Sequence, residues 1–235
     1  MYEYFIGSLL CGIIWLFLFV LKKDLRKPMV WTAVVYILFN GVIVVFWGLF
    51  RQFVYLGEPV VPSYWFPPTF LNLGRLTGFV GIEDVLFLIF IAGIATAVYE
   101  FLYNKEIIIK RSRKQHIKTF IIAFIAFFVF VYLSPYNLVY GFIFSNFIGA
   151  VVLCIERKDL LIHSLMGGLS FLIVYTIAFF VFLILFPDFI TNFYNLNNLS
   201  GVFIFGIPLE EYLYAFSFGL MWGPMYEYEH GLKVR

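Results

Sequence analysis

The sequence predicts an all-α polytopic membrane protein. Seven transmembrane helices form two parallel three-helix repeats joined by a linker helix, with the N-terminus outside and the C-terminus cytoplasmic. Three observations predict this. First, 63% of the 235 residues are hydrophobic and only 13% are charged, where soluble domains are roughly 45–50% apolar and about a quarter charged. That leaves too little polar surface to cover a water-soluble sphere, so lipid must solvate the chain. A cytosolic enzyme, a secreted domain and a nucleic-acid module are excluded. Second, apolar runs long enough to span recur along the whole chain. Third, one acidic segment occurs twice.

Taken in order, the first run is 2–21. It lacks a basic n-region and a small-residue cleavage site, and Lys22-Lys23 follow it, so it reads as a retained helix and not a signal peptide. The runs 28–49 and 81–102 come next. The fourth, 119–133, is short and ends at Ser134-Pro135, a turn into the fifth, 137–155. Fusing these two would place Pro135 in the middle of one very long helix, where it lacks a donor and clashes. The runs 160–186 and 207–226 complete the set. Lys22, Lys23, Arg26, Lys27, Lys105, Lys110, Arg111, Arg113, Lys114, Lys118, Arg157, Lys158, Lys233 and Arg235 then fall on one side, and only Arg51 and Arg75 on the other. This bias sets the orientation. The basic run 110–118 reads as a solvated or lipid-surface loop, with no nucleic-acid partner. Cys11 and Cys154 lie in apolar runs and indicate neither a disulfide framework nor a zinc site.

Shifting the chain by 127 residues lays the third span on the seventh. Gly74 meets Gly201, Glu83 meets Glu210, Asp84 meets Glu211, Leu86 meets Leu213 and Phe87 meets Tyr214. Tyr99-Glu100 meets Tyr226-Glu227. The units are therefore 1–103, a basic loop and linker helix at 104–136, and 137–235. Two halves of like orientation imply a pseudo-twofold axis along the membrane normal, with sites between the halves.

Glu83, Asp84, Glu210 and Glu211 open the third and seventh spans at their outer ends. Ionisable groups within a span are costly and are functional candidates by default. Adjacent residues point about 100° apart, so one member of each pair faces a central cavity. The faces of Glu83 and Glu210 continue at i+4 to Phe87 and Tyr214. Two like charges held close do not both ionise easily, which gives one protonated acid beside one ionised base, as acid–base chemistry requires. The competing reading is helix capping: Pro208 suits a first helical position, and acids in the first turn complement the helix dipole. Tyr99-Glu100 and Tyr226-Glu227 lie about 25 Å further along and read as interfacial anchors at the inner face. His116, His163 and His230, near the cytoplasmic ends, read as interfacial or solvated.

At these residues the sequence resembles the lycopene cyclase domain family, integral-membrane proteins that occur as paired small subunits, single chains or fusions to phytoene synthase. The family's hallmark is a Pro-x-Glu-Glu segment opening a span in each half, preceded by a Gly-containing outer loop with an aromatic-Pro element. Gly201, Gly206, Pro208, Glu210 and Glu211 match the second copy. Trp65, Phe66, Pro67, Gly74, Gly78, Glu83 and Asp84 match the first more loosely, with Gly81 in place of the motif proline and Asp84 in place of a glutamate.

The resemblance implies cyclisation of the linear ends of lycopene to β-rings, an isomerisation without net redox, in a multi-pass protein of the cell membrane. It implies no cofactor and no metal, in line with the absence of a dinucleotide fingerprint or P-loop from the sequence. The catalytic candidates are Glu210 and Glu83, then Glu211 and Asp84. The sequence leaves open which is acid and which is base. Phe87, Phe90, Tyr212, Tyr214 and Phe216 lie near the motifs as candidate cation-stabilising faces. A retinal-binding protein is excluded because the last span has no lysine. A prenyltransferase lacks its magnesium-binding aspartates here, and a metalloprotease lacks a His-Glu-x-x-His. The alternatives are a proton-coupled small transporter using the paired acids, or a cyclase of another isoprenoid.

Overall fold

Helix follows helix along the chain wherever the apolar runs lie. The computed structural model describes residues 2–70, 73–77, 81–105, 107–108 and 117–234. Gly78, residues 109–116 of the basic loop with His116, and Arg235 lie outside them, as do the side chains of Arg75 and Lys233. The helices are α1 (Glu3–Leu21), α2 (Arg26–Phe50), α3 (Val60–Ser63), α4 (Leu73–Thr77), α5 (Ile82–Leu102), α6 (Lys118–Leu133), α7 (Leu138–Glu156), α8 (Leu161–Leu185), α9 (Phe189–Phe193), α10 (Leu209–Trp222) and α11 (Met225–His230). Short strands β1 (Ile107–Ile108) and β4 (Lys233–Val234) pair antiparallel, and β2 (Phe203–Ile204) and β3 (Ile207–Pro208) form a hairpin.

Five helices, α1, α2, α5, α7 and α8, are long and apolar enough to cross a membrane. The other two expected spans are shorter. α6 has 16 residues and α10 has 14, about 24 and 21 Å at 1.5 Å per residue, against a hydrocarbon core of about 30 Å. The expected run 207–226 begins in β3 and breaks at Gly223-Pro224 before α11 resumes. Proline cannot donate into the preceding turn, so the ladder stops there. The expected break between the fourth and fifth runs is present: α6 ends at Leu133 and α7 starts at Leu138, capped by Asn137, whose side-chain oxygen accepts from the Val139 N–H.

α5 and α10 form the centre. α5 packs on α1, α2, α8 and α10, while α10 packs on α7 and α8 as well. Every residue from Ile91 to Glu100 of α5 is buried. Small side chains permit this. A Cβ on Gly219 would lie 2.9 Å from the backbone of both Gly167 and Gly168, so α10 and α8 meet backbone to backbone. By contrast the peripheral helices expose large apolar side chains such as Leu38 and Ile184, as lipid solvation allows.

One expectation at the helix ends opposite the acidic segments is corrected. Glu100 and Glu227 are wholly buried and do not anchor an interface, and His163 is buried beside Glu100. The reason is the break at Gly223-Pro224. It carries α11 against α2, where Trp31 packs edge-on to Tyr226 and His230 and covers the helix ends.

Candidate active site

The loops that lead into α5 and α10 close over one end of the bundle and bring the acidic segments together. The Phe66 N–H donates to the Phe193 carbonyl (2.8 Å), and the Asn195 N–H donates to the Tyr64 carbonyl (2.9 Å). The second loop then turns through Phe205 and Gly206, both with positive φ (50° and 80°), the two-residue hairpin that delivers the chain into α10.

Beneath these loops lies a cavity of about 190 Å³. Asp84 and Glu211 are the carboxyl groups on its wall, among aromatic and aliphatic side chains of α1, α2, α5, α7, α8 and α10. Glu211 accepts three phenol hydroxyls: Tyr64 (2.7 Å) and Tyr194 (2.7 Å) on Oε1, and Tyr175 (2.6 Å) on Oε2. Burial, with the charge of Glu211 next, pushes the Tyr64 and Tyr194 hydroxyls well above the ordinary tyrosine value, so both remain donors. Asp84 accepts from the Tyr4 hydroxyl (2.5 Å) and, through its other oxygen, from the Gly81 N–H (2.7 Å).

Two bridges of rings join the acids around the cavity. Tyr4 meets Trp65 (centroids 4.5 Å apart), and Trp65 meets Tyr194 (5.9 Å). On the other side Tyr4 meets Phe87 (6.5 Å), and Phe87 meets Tyr175 (6.4 Å). Tyr214 also lines the space and shares a hydrogen bond with Tyr36 (2.9 Å). Val44 of α2 and Phe142 of α7 also line the space, and among the described residues these two helices do not pack closely on each other.

The other member of each pair holds a loop. Glu83 accepts from the Phe70 N–H (2.8 Å), and Glu210 accepts from the Ser200 N–H (2.7 Å) and the Tyr140 hydroxyl (2.5 Å). Both are buried off the cavity wall, and each keeps a second carboxyl oxygen without a hydrogen-bond partner among the described residues. The cavity face therefore runs from Asp84 to Phe87 and from Glu211 to Tyr214 at i+3, where i+4 spacing from Glu83 and Glu210 was expected. Of the five aromatic candidates, Phe87 and Tyr214 line the cavity. Phe90 packs beside Trp15, Phe216 beside Phe147, and Tyr212 donates to the Ile204 carbonyl near the surface. Their positions on the helical wheel turn them away.

The difference between the two acidic segments has a local cause. Gly81, at the start of α5, carries an N–H, and Asp84 reaches back to it as the third residue of a helix does in a capping box. Pro208 at the start of α10 has no N–H to cap. Glu211 is thus released from capping, and its longer side chain collects the three tyrosines. Capping and a cavity-facing acid, rival readings of the sequence, coexist on the two oxygens of Asp84.

Tyr4, Tyr64, Tyr175 and Tyr194 were not among the sequence candidates. A tyrosine buried in an apolar helix needs a partner for its hydroxyl, so Tyr175, deep in an apolar run, was the available signal. Cys11, another lining residue, is a free thiol, as is Cys154. The family model described as Lycopene cyclase matches residues 2–102 and 136–229, leaving the segment between them unmatched. No curated protein and no solved structure matches the chain.

Proposed function

The chain belongs to the lycopene cyclase family, and from this we propose that it is a membrane carotenoid cyclase that closes the linear ends of lycopene to β-rings by acid–base chemistry. The observation that carries the reading is the pair of carboxyls on one aromatic-walled cavity. Its volume of about 190 Å³ exceeds the roughly 150 Å³ of an apolar cavity that binds benzene. It therefore admits one ring-sized end group while the polyene tail lies outside, and the seam between α2 and α7 is the route we assign to that tail.

Asp84 is assigned as the acid. Its one side-chain partner among the described residues, the Tyr4 hydroxyl, can accept as well as donate, so a protonated Asp84 keeps a hydrogen bond. Asp84 gives a proton to the terminal double bond, leaving a tertiary cation. The π electrons of the neighbouring trisubstituted double bond form the ring bond to that carbon and leave the positive charge on the other carbon of that double bond. A proton then leaves from the ring carbon at the new junction, and the β-ring double bond forms. Atoms and electrons balance without an oxidant or reductant, so the enzyme class is an isomerase or intramolecular lyase. Glu211, held as an acceptor by three hydroxyls, faces the cation and takes the leaving proton. The rings of Phe87, Tyr175 and Tyr214 stabilise the cation through their faces, about 0.5–2 kcal/mol each, without trapping it. Glu83 and Glu210 position the loops.

In the same reading α6 and α10 also cross the bilayer, giving seven spans. The halves 1–103 and 137–235 are then a duplication joined by 104–136, in a multi-pass protein of the cell membrane. The test is expression in cells that accumulate lycopene. We expect new cyclic carotenoid by pigment chromatography, abolished by Glu211→Gln. Unchanged lycopene with well-expressed protein overturns the assignment, and proton-driven uptake by vesicles in its place favours the transporter.

A further inference from the structure

A second cluster of ionisable groups lies at the inner end of the bundle, about 24 Å along α5 from Asp84. Glu100 of α5, His163 of α8 and Glu227 of α11 are 1%, 3% and 0% exposed. Their ligand-type atoms all lie within 4.8 Å of one another. His163 Nε2 and Glu100 Oε1 are 2.9 Å apart, yet neither forms an aligned hydrogen bond. The other oxygen of Glu100, both oxygens of Glu227 and Nδ1 of His163 also have no hydrogen-bond partner among the described residues. A buried polar atom left without a partner costs about 1–3 kcal/mol, and more when charged. One ligand-type atom from each of the three residues converges on a common point, an arrangement that a bound cation would satisfy.

We infer that Glu100, His163 and Glu227 form a binding site for a divalent transition-metal cation. Metal–oxygen and metal–nitrogen bonds of about 2.0–2.2 Å place neighbouring ligands about 3 Å apart, the separation of Nε2 and Oε1. Close approach without alignment is what two ligands of one ion show, since each directs a lone pair at the metal. Two carboxylates and a neutral imidazole balance a charge of +2, so the site is neutral in a medium where net charge is expensive. One nitrogen and carboxylate oxygens suit Zn²⁺, Fe²⁺ or Mn²⁺ better than Ca²⁺ or Mg²⁺, which prefer all-oxygen sets, or Cu⁺, which prefers sulfur. Neighbouring cationic and aromatic groups are otherwise occupied. Arg157 forks onto Asp159 and donates to the Leu232 and Glu227 carbonyls, and Tyr99 lies tilted against the His163 ring with centroids 4.7 Å apart.

The site is separate from the outer cavity, so its ion does not touch the reacting carotenoid end. Its role is to brace the molecule. Glu100 and Glu227 stand at matching places in the two halves, and His163 ties α8 to them. Such an ion joins the halves at the face opposite the loops.

The experiment uses the purified full chain in detergent, stripped with a chelator, loaded with Zn²⁺ and desalted. We expect about one zinc per chain by elemental analysis, and at least about tenfold weaker zinc binding in Glu227→Gln and His163→Gln. A second readout needs no variant: Co²⁺ added to the stripped wild type gives a visible d–d absorption that Zn²⁺ displaces. Zinc retained equally by the variants, or a stripped wild type that binds neither Zn²⁺ nor Co²⁺, overturns the site. Neither readout depends on carotenoid chemistry, so failure here leaves the cyclase reading standing, and the converse holds.

Discussion

Glu211 and Glu210 are neighbours with unlike surroundings, and the difference predicts unlike mutants. Glu211→Gln removes the carboxylate facing the cavity and should lower cyclase turnover by about 10²–10⁴-fold, measured as cyclic product per chain. Glu210→Gln keeps an acceptor for Ser200 and Tyr140 and should cost about tenfold at most, through loop placement. Equal losses in the two would remove the distinction. The tyrosines add a pH expectation. Because Tyr64 and Tyr194 have folded values raised above about 10, the stability that their hydrogen bonds contribute is fully present below pH ~10. It is lost only as pH rises through the higher folded values. The unfolding midpoint should therefore show no loss from these hydroxyls up to about pH 10, followed at higher pH by a decline that Tyr194→Phe reduces. At this scale the acids were legible from their 127-residue spacing. Which acid faces the cavity was not, because a one-residue change turns a helical side chain by about 100°. The tyrosines reach Glu211 across 17 to 147 residues of chain, a separation that no local pattern records.

Among the elements, α1 and α2 have 19 and 25 residues, and α7 and α8 have 19 and 25 as well. Each pair is joined through the same Lys-Asp-Leu turn, at Lys23–Leu25 and Lys158–Leu160. This is a sequence-level signal that a single offset of 127 misses, since these elements recur at 135, from Glu3 to Leu138. Apolar length placed five long helices to within a residue or two at each end. It overran in 207–226, where Pro224 was in plain view but hydropathy alone does not register a missing donor. Close packing of α8 on α10 yields a graded prediction. Gly219→Val meets the backbone of Gly167 and Gly168 and should destabilise by about 1–3 kcal/mol or more. Gly48→Ala, on the open face of α2 with nothing within 4 Å, should be neutral or slightly stabilising. Thermal unfolding in detergent distinguishes them, and equal midpoints would contradict the packing.

For the whole molecule, the two central helices, α5 and α10, each receive support from several others and each carry one cavity acid. The loops that lead into α5 and α10 lock to each other, and each contributes one tyrosine to Glu211. Separately expressed halves should therefore lack cyclase activity and recover it on co-expression, if they refold together; product from either half alone would show that one acid suffices.

Room for only one end group also fixes the order of events on a symmetric substrate. On the proposed cyclase reading the cavity seats one terminus at a time, so a half-finished molecule has to withdraw, reverse and return before a second ring can close. In a time course with lycopene in excess, the one-ringed species should build up before any two-ringed carotenoid. Its level should fall as the ratio of enzyme to substrate in the membrane rises.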